Sequence, residues 1–339
     1  MKLQENYPLK DITTFHARVY ATEYTEFASA AELKSILSSP SIIGKPFMIL
    51  GGGSNVLFTG DYGGVIIRNV IKGIEELKEE DGSVYIRANG GEKWHDFVLY
   101  CVSNNYGGVE NLSLIPGTVG AGPIQNIGAY GVELKDTLYE VEAMNINTYE
   151  IKKFSNADCK FGYRESIFKG EQKGMYVILA VTFKLVKNPE KVNVSYGTIS
   201  KELEDSGISN PTIADVSRAV IKIRSSKLPD PAKLGNAGSF FKNPIIDNYV
   251  FEKLKEKFPD IVFFPAHHGH TKLAAGWLIE QCGWKGKRIG DAGVHKDQAL
   301  VLVNYGDATG KEIYDLSTKV IESVKEKFGI ELEREVNMV

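Results

Sequence analysis

Between Asn111 and Gly131 the chain runs through 21 residues that hold five glycines and two prolines and no charged side chain. A loop facing water is normally more polar than this. Glycine also lets backbone approach a partner more closely than any other residue allows. Such a stretch suits a buried ligand with a flat or extended body, packed directly against main chain. Glycine is enriched overall, with 34 in 339 residues, above the ~7% typical of soluble proteins. The glycines cluster at 51–53, 60–64, 117–131 and 235–238.

The remaining composition excludes more than it assigns. Hydrophobic residues at 43% and charged residues at 24% describe an ordinary globular chain rather than a disordered or fibrous one. Forty Lys and Arg against 43 Asp and Glu leave a net charge of −3, so no global field recruits nucleic acid. The opening MKLQENYPLK lacks the apolar core of a signal peptide, and no 18-residue apolar run occurs. A cytoplasmic location without membrane contact is the expectation. Cys101, Cys159 and Cys282 are odd in number and not in C-x-x-C spacing, which argues against a disulfide framework and a thiolate metal cage.

Local patterns give a coarse layout. Ser29 and Glu32 form a capping-box signature for a helix over 30–37. Phe47-Met48-Ile49-Leu50 reads as a strand that breaks at Gly51-Gly52-Gly53 and is followed by another at 65–67. Residues 94–102 read as a helix and 175–186 as a long buried strand. Beyond 210 helical periodicity dominates, at 213–224, 248–258, 272–282 and 310–328, with a strand at 299–303. The size prior allows two or three domains, and the change of texture puts a boundary near 216. The tail from 330 to 336 alternates and is expected to return as a strand.

Gly51, Gly52 and Gly53 with Ser54 and Asn55 make either an anion-binding nest of backbone N–H groups or a plain tight turn. No P-loop lysine follows them, and no strand–glycine–helix dinucleotide fingerprint exists in the chain. His267-His268-Gly269-His270 has no acidic or cysteine ligand nearby in sequence and reads as a solvated loop, so no metal is expected.

The string IPGTVGAGPIQNIGAYG is similar to one family, UDP-N-acetylenolpyruvoylglucosamine reductase. Phe161-Gly162-Tyr163-Arg164-Glu165-Ser166, Lys227-Leu228-Pro229-Asp230-Pro231, Gly235 to Pro244 and Glu333-Arg334-Glu335-Val336 agree with it, in order, over nearly the whole chain. The resemblance implies an α+β protein. Its FAD-binding fold, of the vanillyl-alcohol-oxidase type, would comprise a subdomain at 1–70 (joined by 329–339) and a second at 71–215. A C-terminal α/β domain at 216–328 would bind the UDP-sugar. The implied reaction is reduction of UDP-N-acetylglucosamine enolpyruvate by NADPH through FAD. Relatives in the wider flavin fold attach FAD covalently in the loop that the resemblance places at 51–57; this sequence has neither His nor Cys there, so a non-covalent FAD is expected.

The same resemblance assigns roles. Arg164 opposes charge building on the substrate carboxylate, Ser239 is the proton donor, and Glu335, rather than Glu333, is the catalytic carboxylate. FAD falls to Gly51, Gly52, Gly53, Ser54, Asn55, Pro116, Gly117, Gly122, Ile127 and Arg224. The UDP-sugar falls to Tyr163, Tyr196, Lys227 and Asn243, with Tyr196 marking the long class that keeps a tyrosine loop. Asn337 stands where many members carry Arg. A monomer is expected. Read without the family, Ser239 is a turn residue, Arg164 a surface cation and Glu335 a frayed terminal charge.

Overall fold

The apolar run near residue 180 forms the strand Tyr176–Lys187, and its near-continuous burial has a simple cause: both faces are covered. Ile178, Val181, Phe183 and Leu185 pack with Trp94, Phe97, Val98 and Cys101 of the helix Trp94–Ser103. Val177 and Leu179 join a different cluster, with Phe27, Leu33, Ile36, Val65 and Ile67. A strand buried on two faces reads as a hydrophobic run rather than an alternation. It lies within an antiparallel sheet in the order Ile151–Ser155, Leu138–Asn145, Tyr176–Lys187, Ser83–Asn89, Ile74–Glu80. Tyr106–Gly107 pairs alongside the central strand.

The computed structural model describes residues 2–339 as two units. The first consists of the residues up to Tyr7, Thr22–Gly52 and Gly63–Ser226; the second of Pro8–Ala21, Gly53–Tyr62 and Lys227–Val339. In the first unit a smaller sheet has the order Gln4–Pro8, Tyr20–Phe27, Tyr62–Asn69, Phe47–Leu50. Its last two strands run parallel, with Leu50 opposite Arg68, so the chain leaves this sheet directly into Gly51-Gly52. The helix Ala30–Leu37 opens as its sequence requires: Ser29 Oγ accepts the Glu32 N–H and the Glu32 carboxylate accepts the Ala28 N–H. A helix at Gly197–Asp205, which the periodicity did not reveal, packs Ile199 and Leu203 on Val216, Val220 and Ile223 of the helix Ile213–Lys227. With only two buried side chains it carries too little apolar pattern to be read.

In the second unit Gly235–Ser239, Val301–Asn304, Ala292–Val294 and Arg288–Ile289 form an antiparallel sheet. A three-stranded sheet has the order Ile245–Asp247, His270–Leu273, Phe263–Pro265. The expected helix at 272–282 is shorter, Ala275–Gln281, because Thr271 and Leu273 are buried as the central strand of that sheet. The strand expected over 330–336 does not form: that stretch makes only an isolated bridge, Arg334 to Phe241, and the tail pairs just beyond it, Asn337–Met338 running parallel to Val56–Leu57. No helix of the described residues is long and apolar enough to cross a membrane.

The longest helix, Gly310–Phe328, buries Ile313, Leu316, Val320, Val324 and Phe328. Thr309 and Glu312 form a reciprocal capping box at its start, and Gly329, at φ 70°, stops it in the left-handed region. Thr309→Ala orphans the Glu312 N–H at the helix start. It is expected to destabilise the second unit by about 1 kcal/mol, measured as a shift in urea midpoint at constant slope.

Candidate active site

The two glycine-rich segments meet in the first unit, backbone on backbone. A Cβ on Gly52 would stand 2.9 Å from the Gly117 Cα, and one on Gly51 would collide with Thr118 Oγ1. Gly117 itself sits at φ 109°, a conformation strained for any other residue. The charge-free segment is then sewn to its surroundings by main chain. Trp94 N donates to Gly117 O (3.0 Å), Val119 N to Glu92 O (2.9 Å), Gly120 N to Gly90 O (3.0 Å) and Gly90 N to Leu179 O (2.6 Å). Pro116 is exposed, whereas Gly122 is buried against Ile127 and Leu134, and the Ile127 N–H closes back on Gly122 O at 3.2 Å.

Farther along, Asn126 is fully buried at φ 46°. Its side chain donates to Gly162 O (3.0 Å) and Glu133 Oε2 (3.2 Å) and accepts the Lys135 N–H (3.0 Å). That bond to Gly162 brings in the tight turn Gly162–Glu165, whose ends exchange backbone hydrogen bonds of 3.0 and 3.3 Å. Tyr163 and Arg164 occupy its tip. Arg164, at φ 56°, donates from Nη2 to Gly128 O (2.7 Å) and from Nη1 to Asn126 O (3.4 Å). The Tyr163 ring lies 5.4 Å from its guanidinium carbon. The guanidinium is thus oriented by carbonyls of the glycine-rich segment.

A third group gathers around Leu114. Arg224 Nε donates to Leu114 O (3.2 Å), and His95 Nδ1 accepts the Leu114 N–H (3.0 Å). Arg224 also hydrogen-bonds Tyr130; burial pushes its guanidinium down and the Tyr130 phenol up from their ordinary values. Tyr196 stands edge-on to Tyr130, ring centroids 5.4 Å apart, and remains 37% exposed. Buried Asn111 bridges Tyr130 O (3.3 Å) and Asn193 O (3.1 Å), which fixes the start of the segment that carries Tyr196. Ser113 and Ser217 share a buried hydroxyl pair at 2.8 Å. Asn126, Tyr130, His95 and Ser217 were not singled out from the sequence. Only their partners, distant in the chain, reveal what they do.

In the second unit Ser239 ends the strand Gly235–Ser239, opposite Val301, just after a register irregularity at which Gly238 adopts φ 69°. The next residues accept the tail: Glu335 N donates to Phe240 O (2.8 Å) and Lys242 N to Glu333 O (2.9 Å). Ser239 and the half-buried Glu335 are therefore neighbours through Phe240. Glu333 instead pairs its carboxylate with Lys242 Nζ at 2.5 Å. Asn55 Nδ2 donates to Glu335 O (3.3 Å), and Asn55 O accepts the Asn337 N–H (3.1 Å) and its side-chain amide (2.9 Å). Gly53 is buried against the Ile12 carbonyl, Ser54 is half-buried, and Lys227 is exposed at the end of its helix. Asn243 Oδ1 accepts the Ala275 N–H (3.0 Å), which fixes its amide.

These residues suit a flavin. The glycines let backbone approach closely with no Cβ between, as a planar ligand laid against main chain requires, and Arg164 and Arg224 bring cations to a segment that has none of its own. Gly52→Ala sets a methyl group against backbone that no rotamer change can move. It is expected to cost about 1–3 kcal/mol, whereas Gly63→Ala, whose Cβ meets nothing within 4 Å, is expected to stay within about 1 kcal/mol of the parent. Parallel thermal melts of the two variants make the comparison.

Comparison with known proteins follows the same lines. A family model described as the UDP-N-acetylenolpyruvoylglucosamine reductase C-terminal domain matches residues 230–339, and one for an FAD binding domain matches 23–154. The chain is 53% identical over 339 residues to the UDP-N-acetylenolpyruvoylglucosamine reductase of Flavobacterium johnsoniae, covering 100% of both chains. It is 48% identical to that of Chromobacterium violaceum, over 99% of this chain and 98% of the relative. Among solved structures, the reductase of Thermus caldophilus superposes with a TM-score of 0.65 at 24% identity, over 99% of this chain and 98% of the other, and so shares the fold. Full-length identity at this level, together with both domain matches, shows that the chain belongs to the UDP-N-acetylenolpyruvoylglucosamine reductase family of FAD-dependent oxidoreductases.

Proposed function

We propose that the chain reduces the enolpyruvyl ether of UDP-N-acetylglucosamine to UDP-N-acetylmuramate in peptidoglycan precursor synthesis, with NADPH as hydride source and a non-covalent FAD. Bound FAD would supply the two-electron carrier between the two substrates. The observation that most supports the reading is the docking of Glu335 on Phe240, beside Ser239. It brings the backbone of Glu335 to the residue that follows Ser239, although the two lie far apart in the sequence.

The chemistry sets the tasks. An enol ether conjugated to a carboxylate accepts hydride at its methylene carbon. The electron pair moves to the adjacent carbon and into the carboxylate, and a proton must then reach that carbon. Arg164 opposes the charge gathering on the carboxylate, a task for which its planar fork is suited. Its bonds to Gly128 O and Asn126 O hold it in place beforehand. Ser239 delivers the proton; an alcohol serves here because the carbanionic centre is a far stronger base. Glu335 completes the proton-transfer set.

The gripping residues follow. Gly51, Gly52, Gly53, Ser54, Asn55, Pro116, Gly117, Gly122, Ile127 and Arg224 hold the flavin by backbone and donor contacts. Tyr163, Lys227 and Asn243 hold the UDP-sugar. Tyr196 covers the nucleotide as in the long class, a role supported by its edge-on seat against Tyr130 and its remaining exposure. The functional division is 1–70 with 329–339, then 71–215, then 216–328, in a cytoplasmic monomer.

Anaerobic spectra of the purified protein test the reading. Flavin bands are expected to bleach with NADPH and return with the enolpyruvyl sugar, and steady-state double-reciprocal plots to be parallel. Bleaching without recovery overturns the substrate, and a colourless protein after incubation with FAD overturns the flavin. Ser239→Ala is expected to bleach at close to the parent rate while recovery slows by roughly 10²–10⁴-fold. Unimpaired recovery removes Ser239 from the proton-donor role.

A further inference from the structure

Leu114 lies in the left-handed region at φ 59°, where a side-chain-bearing residue is strained. Both of its backbone polar groups are gripped, the N–H by His95 Nδ1 at 3.0 Å and the carbonyl by Arg224 Nε at 3.2 Å. His95 is the second residue of the helix Trp94–Ser103, so its ring stands at the helix end that disfavours positive charge. The same turn of helix holds Leu112 O through Trp94 Nε1 (2.9 Å) and Gly117 O through the Trp94 N–H (3.0 Å). Nδ1 can accept only if the imidazole is neutral with its proton on Nε2.

We infer that His95 is a pH-sensitive positioning residue, whose neutral ring, by accepting the Leu114 N–H, holds the 114–117 turn in the form that takes the flavin. Protonation turns Nδ1 into a donor facing a donor and releases the turn. The inference rests on the flavin reading of the 111–131 segment. Of the charged groups around the ring, Asp96 on its own helix favours the cation and Arg224 on the helix Ile213–Lys227 opposes it; the 111–131 segment brings none. Burial is the largest effect, and the ring lies below its ordinary value of 6.5. Below that value the unfolded chain binds protons that the folded ring resists. The ordered turn is therefore stable above it and lost as pH falls through the folded value.

The test uses full-length protein stripped of flavin and titrated with FAD by fluorescence quenching from pH 8 to 5. The parent is expected to weaken about tenfold as the ring protonates. His95→Leu orphans the Leu114 N–H and is expected to bind about tenfold or more weakly already at pH 8. His95→Asn, whose Oδ1 replaces Nδ1 without titrating, is expected to restore most of that loss and to flatten the acid limb. An acid limb that persists in His95→Asn overturns the inference. So does an Nδ1–H tautomer in the ¹⁵N spectrum of the stripped parent at pH 8. A parent that binds no FAD at any pH overturns the flavin reading instead. The tautomer, and the pH dependence of the melting difference between parent and His95→Asn, still decide the role of His95.

Discussion

The contact between Gly52 and Gly117 is the constraint on which the first unit turns. Two loops packed backbone on backbone leave no space for a Cβ, with Gly117 Cα only 2.9 Å from where the Gly52 methyl would stand. The strand Phe47–Leu50 delivers one loop from the smaller sheet. The other passes its register through Gly120, Gly90 and Leu179 to the central strand of the larger sheet. Glycine packing on one side and main-chain hydrogen bonds on the other thus link the loops to the two sheets, and neither depends on side-chain rotamers. A ligand bound here meets a surface whose position is set by secondary structure on either side.

Rigidity of this kind has a local cost, and the structure shows where it falls. Leu114, Asn126, Tyr130 and Arg164 all carry positive φ without being glycine. Each such residue costs of order 1–3 kcal/mol and persists only when its surroundings hold it. Here the surroundings do so explicitly. Leu114 is held from both sides, Asn126 makes three side-chain hydrogen bonds, the Tyr130 carbonyl accepts from Asn111, and the Arg164 carbonyl accepts from Lys169 Nζ (3.1 Å). Leu114, Asn126 and Tyr130 lie in the 111–131 segment and Arg164 is hydrogen-bonded to it, and a binding segment is where geometry has to be exact to a fraction of an ångström.

What was legible in the sequence follows from range. The helix at 30–37 and the end of the helix at 328 are announced by residues within four positions of each other, Ser29 with Glu32 and Phe328 with Gly329. The uncharged, glycine-rich segment was legible because composition alone separates it from a solvated loop. The strand His270–Leu273 was not, since its partners at 245–247 and 263–265 decide it and its own pattern runs on into a helix. His95, Asn126 and Ser217 were illegible for a related reason. A buried polar side chain is explained by the group that satisfies it, and Ser217 finds Ser113 across 104 positions. Arg164 and Ser239 became candidates through family motifs, because neither residue type nor local spacing distinguishes them from surface residues.

The tail shows how position can be made unambiguous where sequence alone leaves it open. In Glu333-Arg334-Glu335 identical residues recur at the period of an extended strand, so a slip of two would exchange the carboxylates while keeping every side chain on its face. Three contacts of different chemistry prevent it. Lys242, buried and cationic, takes both the carbonyl and the carboxylate of Glu333. Arg334 faces the other way, onto Ser317 Oγ (2.7 Å), Thr318 Oγ1 (2.6 Å) and the Tyr314 ring. Asn55 then brackets Glu335 and Asn337 by their backbone. Slipped by two toward the N-terminus, Lys242 would face Glu335, but Arg334 would leave its hydroxyls and Asn55 would lose the side-chain amide of Asn337. Glu335 stands beside Ser239 because its neighbours, rather than Glu335 itself, fit only one register.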